Sequence, residues 1–496
     1  MSTADRHSSG RPSHGPRGGR AGRGDASRRA EGPPRRPQTR RPPDIDHARQ
    51  AALDLLAAVR SRSAYANLTL PGLLKDRRLS GRDAALATEL SYGTCRALGQ
   101  LDAVLAACCD RPLAELDGPV LDALRLAAYQ MLHTRVPDHA AVSVTVDLVR
   151  AGPNPGASGF VNAVLRKVSR HDLAGWIAEV GPDRSVDPLG HLALSTAHPR
   201  WIVTAVKDAL GIADDPDPAD PGLVELETAL AANDVAPHVH LLAKPGRISQ
   251  DELMIAAAGA RARFSPFGVY LPTGDPGRIS AVVDGRAAVQ DEGSQLVALA
   301  LASAEIEGPD RRWLDLAAGP GGKAALLGAW AAQSGARVDA VEVTPHRADL
   351  VRRAVAGLPV AVHTADGRDP GLPLDGFDRV LLDAPCTGLG ALRRRPEARW
   401  RRQPTDVAPL VTLQQELLAS AATLVRPGGL VAYVTCSPHL AETTGVISRR
   451  PAELELIDAR PYLPGVPELG DGPTVQLWPH RHGTDAMFLA LMRRTD

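Results

Sequence analysis

From about Gly285 onward the sequence alternates short apolar runs with helix-like stretches, and this alternation limits the fold more than any other feature. The runs are RRWLDLAAG (311–319), ARVDAVEV (336–343), FDRVLLDAP (377–385) and GGLVAYVTCS (428–437). Strands that are apolar along their whole length are buried on both faces. Strand–helix alternation brings such strands together in parallel. Residues 286–496 therefore read as an α/β domain with a Rossmann-like, mostly parallel, doubly wound sheet.

At 496 residues the chain exceeds a single core, so it reads as multidomain. Residues 44–172 carry apolar positions at three- and four-residue spacing. They do so in ARQAALDLLAAVRS (48–61), RDAALATELSYGTCRALGQLDAVLAAC (82–108), PVLDALRLAAYQMLHTR (119–135), HAAVSVTVDLVRA (139–151) and GASGFVNAVLRKVSR (156–170). Short polar or proline-containing links join these runs, which predicts an all-α bundle. Residues 173–285 are less regular. HPRWIV (198–203) opens a helix and HVHLLAKPG (238–246) reads as a strand and turn, giving a small α+β linking domain. Residues 1–43 hold eleven arginines, no lysine and three acids, with almost no aliphatic side chains. Such a tail reads as disordered, or as an arm for RNA phosphates. The chain is formally neutral, so beyond the tail acids outnumber bases by eight. A uniformly basic body is excluded, and RNA binding would rest on local patches and the tail.

No apolar run reaches the ~18–20 residues of a membrane span, and no apolar signal core follows Met1. The expectation is a cytoplasmic protein, monomeric and without a membrane partner. Five cysteines without a CxxC pair argue against both a disulfide framework and a zinc site. Cys95, Cys108 and Cys109 fall on helices and read as packing. His480 and His482 read as solvated loop residues, and no metal is assigned.

The stretch LDLAAGPGGKAALLGAW (314–330) poses the question of what its glycine turn holds. A Walker loop fails, because Ala317 stands where its first glycine belongs and Ala324 follows Lys323. A dinucleotide fingerprint fails as well, because Ala324 replaces its third glycine. What remains is a strand-to-helix turn whose small residues admit a ligand to the backbone. Glu342 ends the next strand, where a carboxylate can accept both hydroxyls of a ribose. Asp366, in HTADGRD (363–369), ends a third strand and suits an adenine amino group. Together they outline an adenosine-bearing cofactor without a pyrophosphate, and S-adenosylmethionine fits.

Two thiols leave the sheet on the same edge, Cys386 in FDRVLLDAPCTGLG (377–390) and Cys436 in GGLVAYVTCSPH (428–439). Carbon 5 of cytosine is a poor nucleophile. A thiolate added at carbon 6 makes it enamine-like and able to attack an electrophilic methyl group. Asp383 is placed to act near N3, and Lys323 is the nearest cation to support a thiolate. The base must be single-stranded or flipped to reach such a pocket. Just beyond Cys386, LRRRPEARWRRQP (392–404) sets Arg393, Arg394, Arg395, Arg399, Arg401 and Arg402 around Trp400. That run reads either as a phosphate clamp with one stacking surface or as a solvated basic face.

LDLAAGPGGK, LLDAPCTGLG and VTCS, in this order, resemble the RNA 5-methylcytosine methyltransferases, and within them the Sun/RsmB-like branch acting on small-subunit ribosomal RNA. VQDEGSQLVALAL (289–301) and QLWPHRHGTDAMF (476–488) resemble its flanking segments. RDAALATELSYGTCR and GFVNAVLRKV resemble the NusB-like RNA-binding domain that this branch carries. The resemblance implies that Cys436 is the nucleophile and that Cys386 assists release by helping to remove the carbon 5 proton. It implies cofactor contacts at Ala317, Ala318, Gly319, Pro320, Gly321, Gly322, Lys323, Glu342, Arg347, Asp366 and Asp383, with Lys323 and Asp383 also facing the target base. Three departures stand out. Gly319 replaces the usual alanine, which should only loosen the turn. Thr443 stands where an asparagine commonly follows Glu442, and Asp485-Ala486-Met487-Phe488 replaces an Asp-Gly-aromatic-Phe segment. Two alternatives remain open at this point. One is a DNA cytosine-C5 methyltransferase, whose Pro-Cys nucleophile would be Cys386; the other is a non-catalytic RNA-binding or assembly factor.

Overall fold

The computed structural model describes residues 46–214 and 216–495, so the arginine-rich tail lies outside the described residues. All five helical runs expected in the first domain form helices: His47–Arg62, Gly81–Cys108, Gly118–His133, Asp138–Ala151 and Ser158–Val168. Asp46 caps the first, its carboxylate accepting from Arg49 N at 2.9 Å. A further helix, Ala66–Asp76, carries Pro71 in its interior, which removes one ladder hydrogen bond and hides the helical signal. Leu90, Leu101, Leu105, Leu124 and Leu126 are fully buried at the centre of the bundle. Cys95 and Cys108 join them, and burial pushes their thiols up to about 12 and about 11, consistent with inert packing.

Four helices follow, Leu173–Val180, Pro188–Ser195, Arg200–Ala209 and Pro221–Ala232, and then a small antiparallel sheet. Its strands are β1 (Val239–Ala243), β2 (Ala260–Arg261), β3 (Gly268–Leu271) and β4 (Ala287–Val289), in the order β2-β3-β1-β4. β4 lies past the expected domain edge at 285. Its residues complete this sheet, with Leu241 opposite Val289.

The large sheet contains β5 (Arg312–Asp315), β6 (Arg337–Val341), β7 (Val360–His363), β8 (Phe377–Asp383), β9 (Val425–Thr435), β10 (Leu454–Ile457), β11 (Val475–Gln476) and β12 (Phe488–Arg494). The order is β10-β12-β9-β8-β5-β6-β7, with β11 paired to β12. β7, β6, β5, β8 and β9 are mutually parallel; at one end β12 pairs antiparallel with β9, and β10 antiparallel with β12. Both faces are covered. Helix Glu292–Ser303 packs with Leu326 and Leu327 on one side, and helix Val407–Leu424, through Leu417 and Leu418, on the other. The continuous apolar runs of β8 and β9 follow from this double burial.

The basic run 392–404 does not form the anticipated phosphate clamp. Arg393 and Arg394 are ion-paired with Asp291 and Asp485. Arg399 is fully buried, bridging to Asp234 at 2.8 Å and donating to Ala197 O at 2.9 Å. The Trp400 ring lies over Gly99, where a Cβ would sit 2.2 Å from it, and its Nε1 donates to Arg96 O. Arg401 donates to Ala64 O and Arg402 to Thr387 O. Guanidinium groups committed in this way bind three domains together and are withdrawn from phosphates. Arg395 differs: it is exposed and makes no side-chain hydrogen bond or ion pair among the described residues.

Replacing Arg399 with methionine leaves Asp234 unpaired at this joint. The expected result is a loss of about 3 kcal/mol in urea unfolding, with RNA affinity of the folded protein unchanged. A phosphate-clamp role would give the opposite pattern.

Candidate active site

In parallel α/β sheets the carboxyl ends of the strands form the binding edge, and the sequence candidates collect there. β5 passes through the turn 316–321 into helix Gly322–Ser334, which no side chain caps. Gly321 has φ +109°, and a Cβ on it would lie 3.0 Å from Val351 Cα, so the turn needs glycine. Ala318 is buried and its N donates to Val341 O at 2.8 Å, joining the turn to the end of β6. Ala317 and Gly322 are half-buried and Pro320 is exposed along the same turn.

Gly319 does more than loosen this turn. A Cβ there would sit 2.0 Å from Glu342 Oε2 and 2.8 Å from Arg347 Nη2. The buried Glu342 carboxylate occupies the space a side chain would take. It accepts from Thr344 N at 2.9 Å, while Arg347 donates to Gly319 O at 2.7 Å. Asp366 lies three residues beyond β7. Its carboxylate is held by Arg368, which keeps it below the usual carboxylate range. It also helps line an open depression with Glu416, Ser420 and Thr423.

The two strand-end cysteines meet, with Cys386 Sγ and Cys436 Sγ 3.4 Å apart and both residues half-buried. They are not equivalent. The hydrogen bond from Cys386 holds the Cys436 thiol below its ordinary value, with help from Lys323 and Arg395 against burial and Asp383. The same contact, followed by burial and the charges of Cys436 and Glu442, pushes Cys386 well up. Either sulfur can donate in this contact, and the two directions set the thiols apart: the surroundings favour the charged form at Cys436 and the protonated form at Cys386. Lys323 Nζ lies 2.7 Å from Asp383 Oδ2. Burial opposes the ammonium, but Asp383 outweighs it and the Lys323 pKa rises. Asp315, fully buried at the end of β5, is pushed up to about 7 by burial and by Asp383.

Sequence reasoning passed over the group that holds the thiols in place. Glu442 is fully buried. Its carboxylate accepts from Thr387 N at 2.8 Å, Ser437 Oγ at 2.7 Å and Gln414 Nε2 at 3.2 Å, and also from the Thr387 hydroxyl. Thr387 follows Cys386 and Ser437 follows Cys436, so one carboxylate fixes both loops. The available signal was an acid six residues past Cys436 in a loop otherwise without carboxylates. Thr443 makes the turn's hydrogen bond itself, donating to His439 O at 3.1 Å. Ala486 N donates to Gly390 O, and Gly390 N donates to Cys436 O, each at 2.9 Å. The 485–488 segment is thus linked through Gly390 to the Cys436 loop. His480 and His482 are not solvated. His480 bonds Glu225, and the buried His482 ring spans Trp478 N and Pro467 O.

A sheet of this order, with a glycine turn on its first parallel strand and chemistry along its carboxyl edge, defines a methyltransferase of the Rossmann-like class. Residues 299–493 match the family described as 16S rRNA methyltransferase RsmB/F, and residues 46–170 match the NusB family. A putative methyltransferase of Mycobacterium tuberculosis is 55% identical over 94% of this chain and 99% of its own. A probable ribosomal RNA small subunit methyltransferase B of Bacillus subtilis is 30% identical over 90% of this chain and 98% of its own. The solved structure of PH0851 superposes with a TM-score of 0.74 at 23% identity, over 90% of this chain and 98% of that one. The chain belongs to the RsmB/F methyltransferase family.

Cys386→Ala removes the donor that stabilises the Cys436 thiolate. The pH midpoint for alkylation of Cys436 by iodoacetamide, followed by peptide mass, should therefore move upward, toward the free-thiol value of about 8.5. Glu442→Gln forces amide hydrogens against donors. It should cost about 2 kcal/mol in urea unfolding and should slow methyl transfer by separating the thiol loops.

Proposed function

We propose that the protein methylates carbon 5 of a cytosine in small-subunit ribosomal RNA, using S-adenosylmethionine, through a covalent bond between Cys436 and carbon 6 of the base. The observation that carries this reading is the asymmetric thiol pair, 3.4 Å apart beside the Lys323–Asp383 bridge. The lowered Cys436 and the raised Cys386 favour Cys436 over the Pro-Cys alternative. The names of the relatives support an RNA target, and the match to the NusB family supports assigning residues 44–172 to RNA binding. We further assign, from the sequence alone, a monomeric, cytoplasmic enzyme without a membrane partner. No helix among the described residues is long and apolar enough to cross a membrane.

The donor set suits the proposed cofactor. The uncapped first turn of helix Gly322–Ser334 offers N–H groups to an anionic end. The buried Glu342 acid stands beside the turn at the ribose position, with Arg347 nearby. Ala317–Lys323 line the approach, and the Asp366 carboxylate, which already accepts from Arg368, would also accept from the adenine amino group. When bound, S-adenosylmethionine supplies an electrophilic sulfonium methyl.

The protein's own groups do the rest. Cys436 donates an electron pair to carbon 6, and carbon 5 becomes the nucleophile that takes the methyl. Asp383, bridged to Lys323, is assigned to the N3 side, where the pair holds a proton that can follow the charge gathering on the ring. Once the sulfur's electron pair lies in the C–S bond, the charge that kept Cys386 protonated is gone, and the half-buried Cys386 thiol can pass its proton to solvent water. The resulting Cys386 thiolate then accepts the carbon 5 proton. The freed electron pair restores the C5–C6 double bond, and Cys436 departs as thiolate.

RNA carrying 5-fluorocytosine bears fluorine in place of that proton, which a base cannot remove, and should trap the enzyme. Cys436→Ala should abolish the trapped species on denaturing gels. Cys386→Ala should accumulate an adduct even on unmodified RNA. The reverse pattern would overturn the assignment.

A further inference from the structure

The RNA reading leaves one exposed group of the basic run without a task. Arg395 sits one turn beyond Ala391, with its N bonded to Ala391 O at 3.1 Å, and the adjoining Gly390 N bonds Cys436 O at 2.9 Å. A short, hydrogen-bonded path therefore leads from the nucleophile loop to Arg395. Its charge is felt at the Cys436 sulfur, where it favours the thiolate. Its guanidinium lies 6.0 Å from the ring centre of Tyr65, a residue of the helical domain that is 44% exposed.

Tyr65 is held in place from below. Arg401 packs at 4.9 Å from the ring centre while donating to Ala64 O at 2.7 Å, and Ala66 N donates to the buried Glu397 carboxylate. An exposed tyrosine with two guanidinium groups at its ring, one committed to Ala64 O and the other, that of Arg395, without a hydrogen bond or ion pair among the described residues, is an unusual surface for a joint in which Trp400 is packed away. It suits a nucleotide. Drawing a cytosine out of its stack strips the neighbouring base of one stacking face, and an aromatic–guanidinium shelf replaces that face while the cation meets the phosphate.

We infer that Tyr65 and Arg395, presented by two different domains, form a shelf beside the catalytic thiols that stacks and ion-pairs a nucleotide flanking the target cytosine in single-stranded RNA. The inference rests on the RNA-methyltransferase reading above and names where the substrate strand lies.

The test uses the full chain and short single-stranded RNAs bearing a cytosine flanked by 5-iodouridine, irradiated to join the iodobase to a stacked aromatic ring. The expected product is a cross-link mapped by mass spectrometry to Tyr65. In parallel, Y65L should weaken RNA binding about tenfold while Y65F retains it, and R395Q should lower the salt dependence of binding by about one phosphate contact. Binding of S-adenosylhomocysteine should be the same in all variants. Wild-type protein that binds RNA but cross-links elsewhere, or Y65L with undiminished affinity, overturns the shelf alone. Wild-type protein that binds the cofactor product and no RNA overturns the RNA reading and the shelf with it.

Discussion

The geometry of this edge depends on one buried carboxylate. Two loops leave two neighbouring strands, each with a cysteine, and loops of that kind have no intrinsic reason to meet. Glu442 supplies the reason by accepting from the residue after each cysteine, through Thr387 and Ser437. Hydrogen bonds to a charged acceptor are shorter and stronger than neutral ones. In a site shielded from water they fix positions that packing alone would leave loose. The Tyr433 hydroxyl, bonding Glu442 O at 2.7 Å, anchors that residue in turn to β9.

Position then becomes electrostatics. With the sulfurs in contact, one proton serves two thiols, and the surroundings decide where it rests. Lys323 is nearer in effect to Cys436, while Glu442 and the partner thiolate burden Cys386. The Lys323–Asp383 bridge keeps a cation in a pocket where burial would otherwise expel its charge. The same side chain thus takes two characters in two environments, its pKa lowered at Cys436 and raised at Cys386.

The catalytic edge was legible in the sequence because its residues sit where apolar runs end, and strand ends in parallel sheets point the same way. Lys323, Glu342, Asp383, Cys386 and Cys436 all come to that edge. The basic run misled because composition reveals charge and not partners. Asp234, Asp291 and Asp485 lie more than eighty residues from the arginines they neutralise, and only the folded chain brings them together. His480 failed for the same reason, since its partner Glu225 is distant in the chain, whereas His482 bonds the nearby Trp478 N and Pro467 O and is buried only in the folded protein. Helix Ala66–Asp76 was hidden by Pro71, and β4 by its three-residue length. Glu442 escaped because an acid in a loop has no periodicity to mark it.

Gly319 and Glu342 occupy one volume between them. The acid reaches into the space that a methyl group at 319 would fill. An alanine at 319 would meet the free ends of Glu342 and Arg347, and both side chains would have to swing aside together, drawing the acid away from the turn that it now touches.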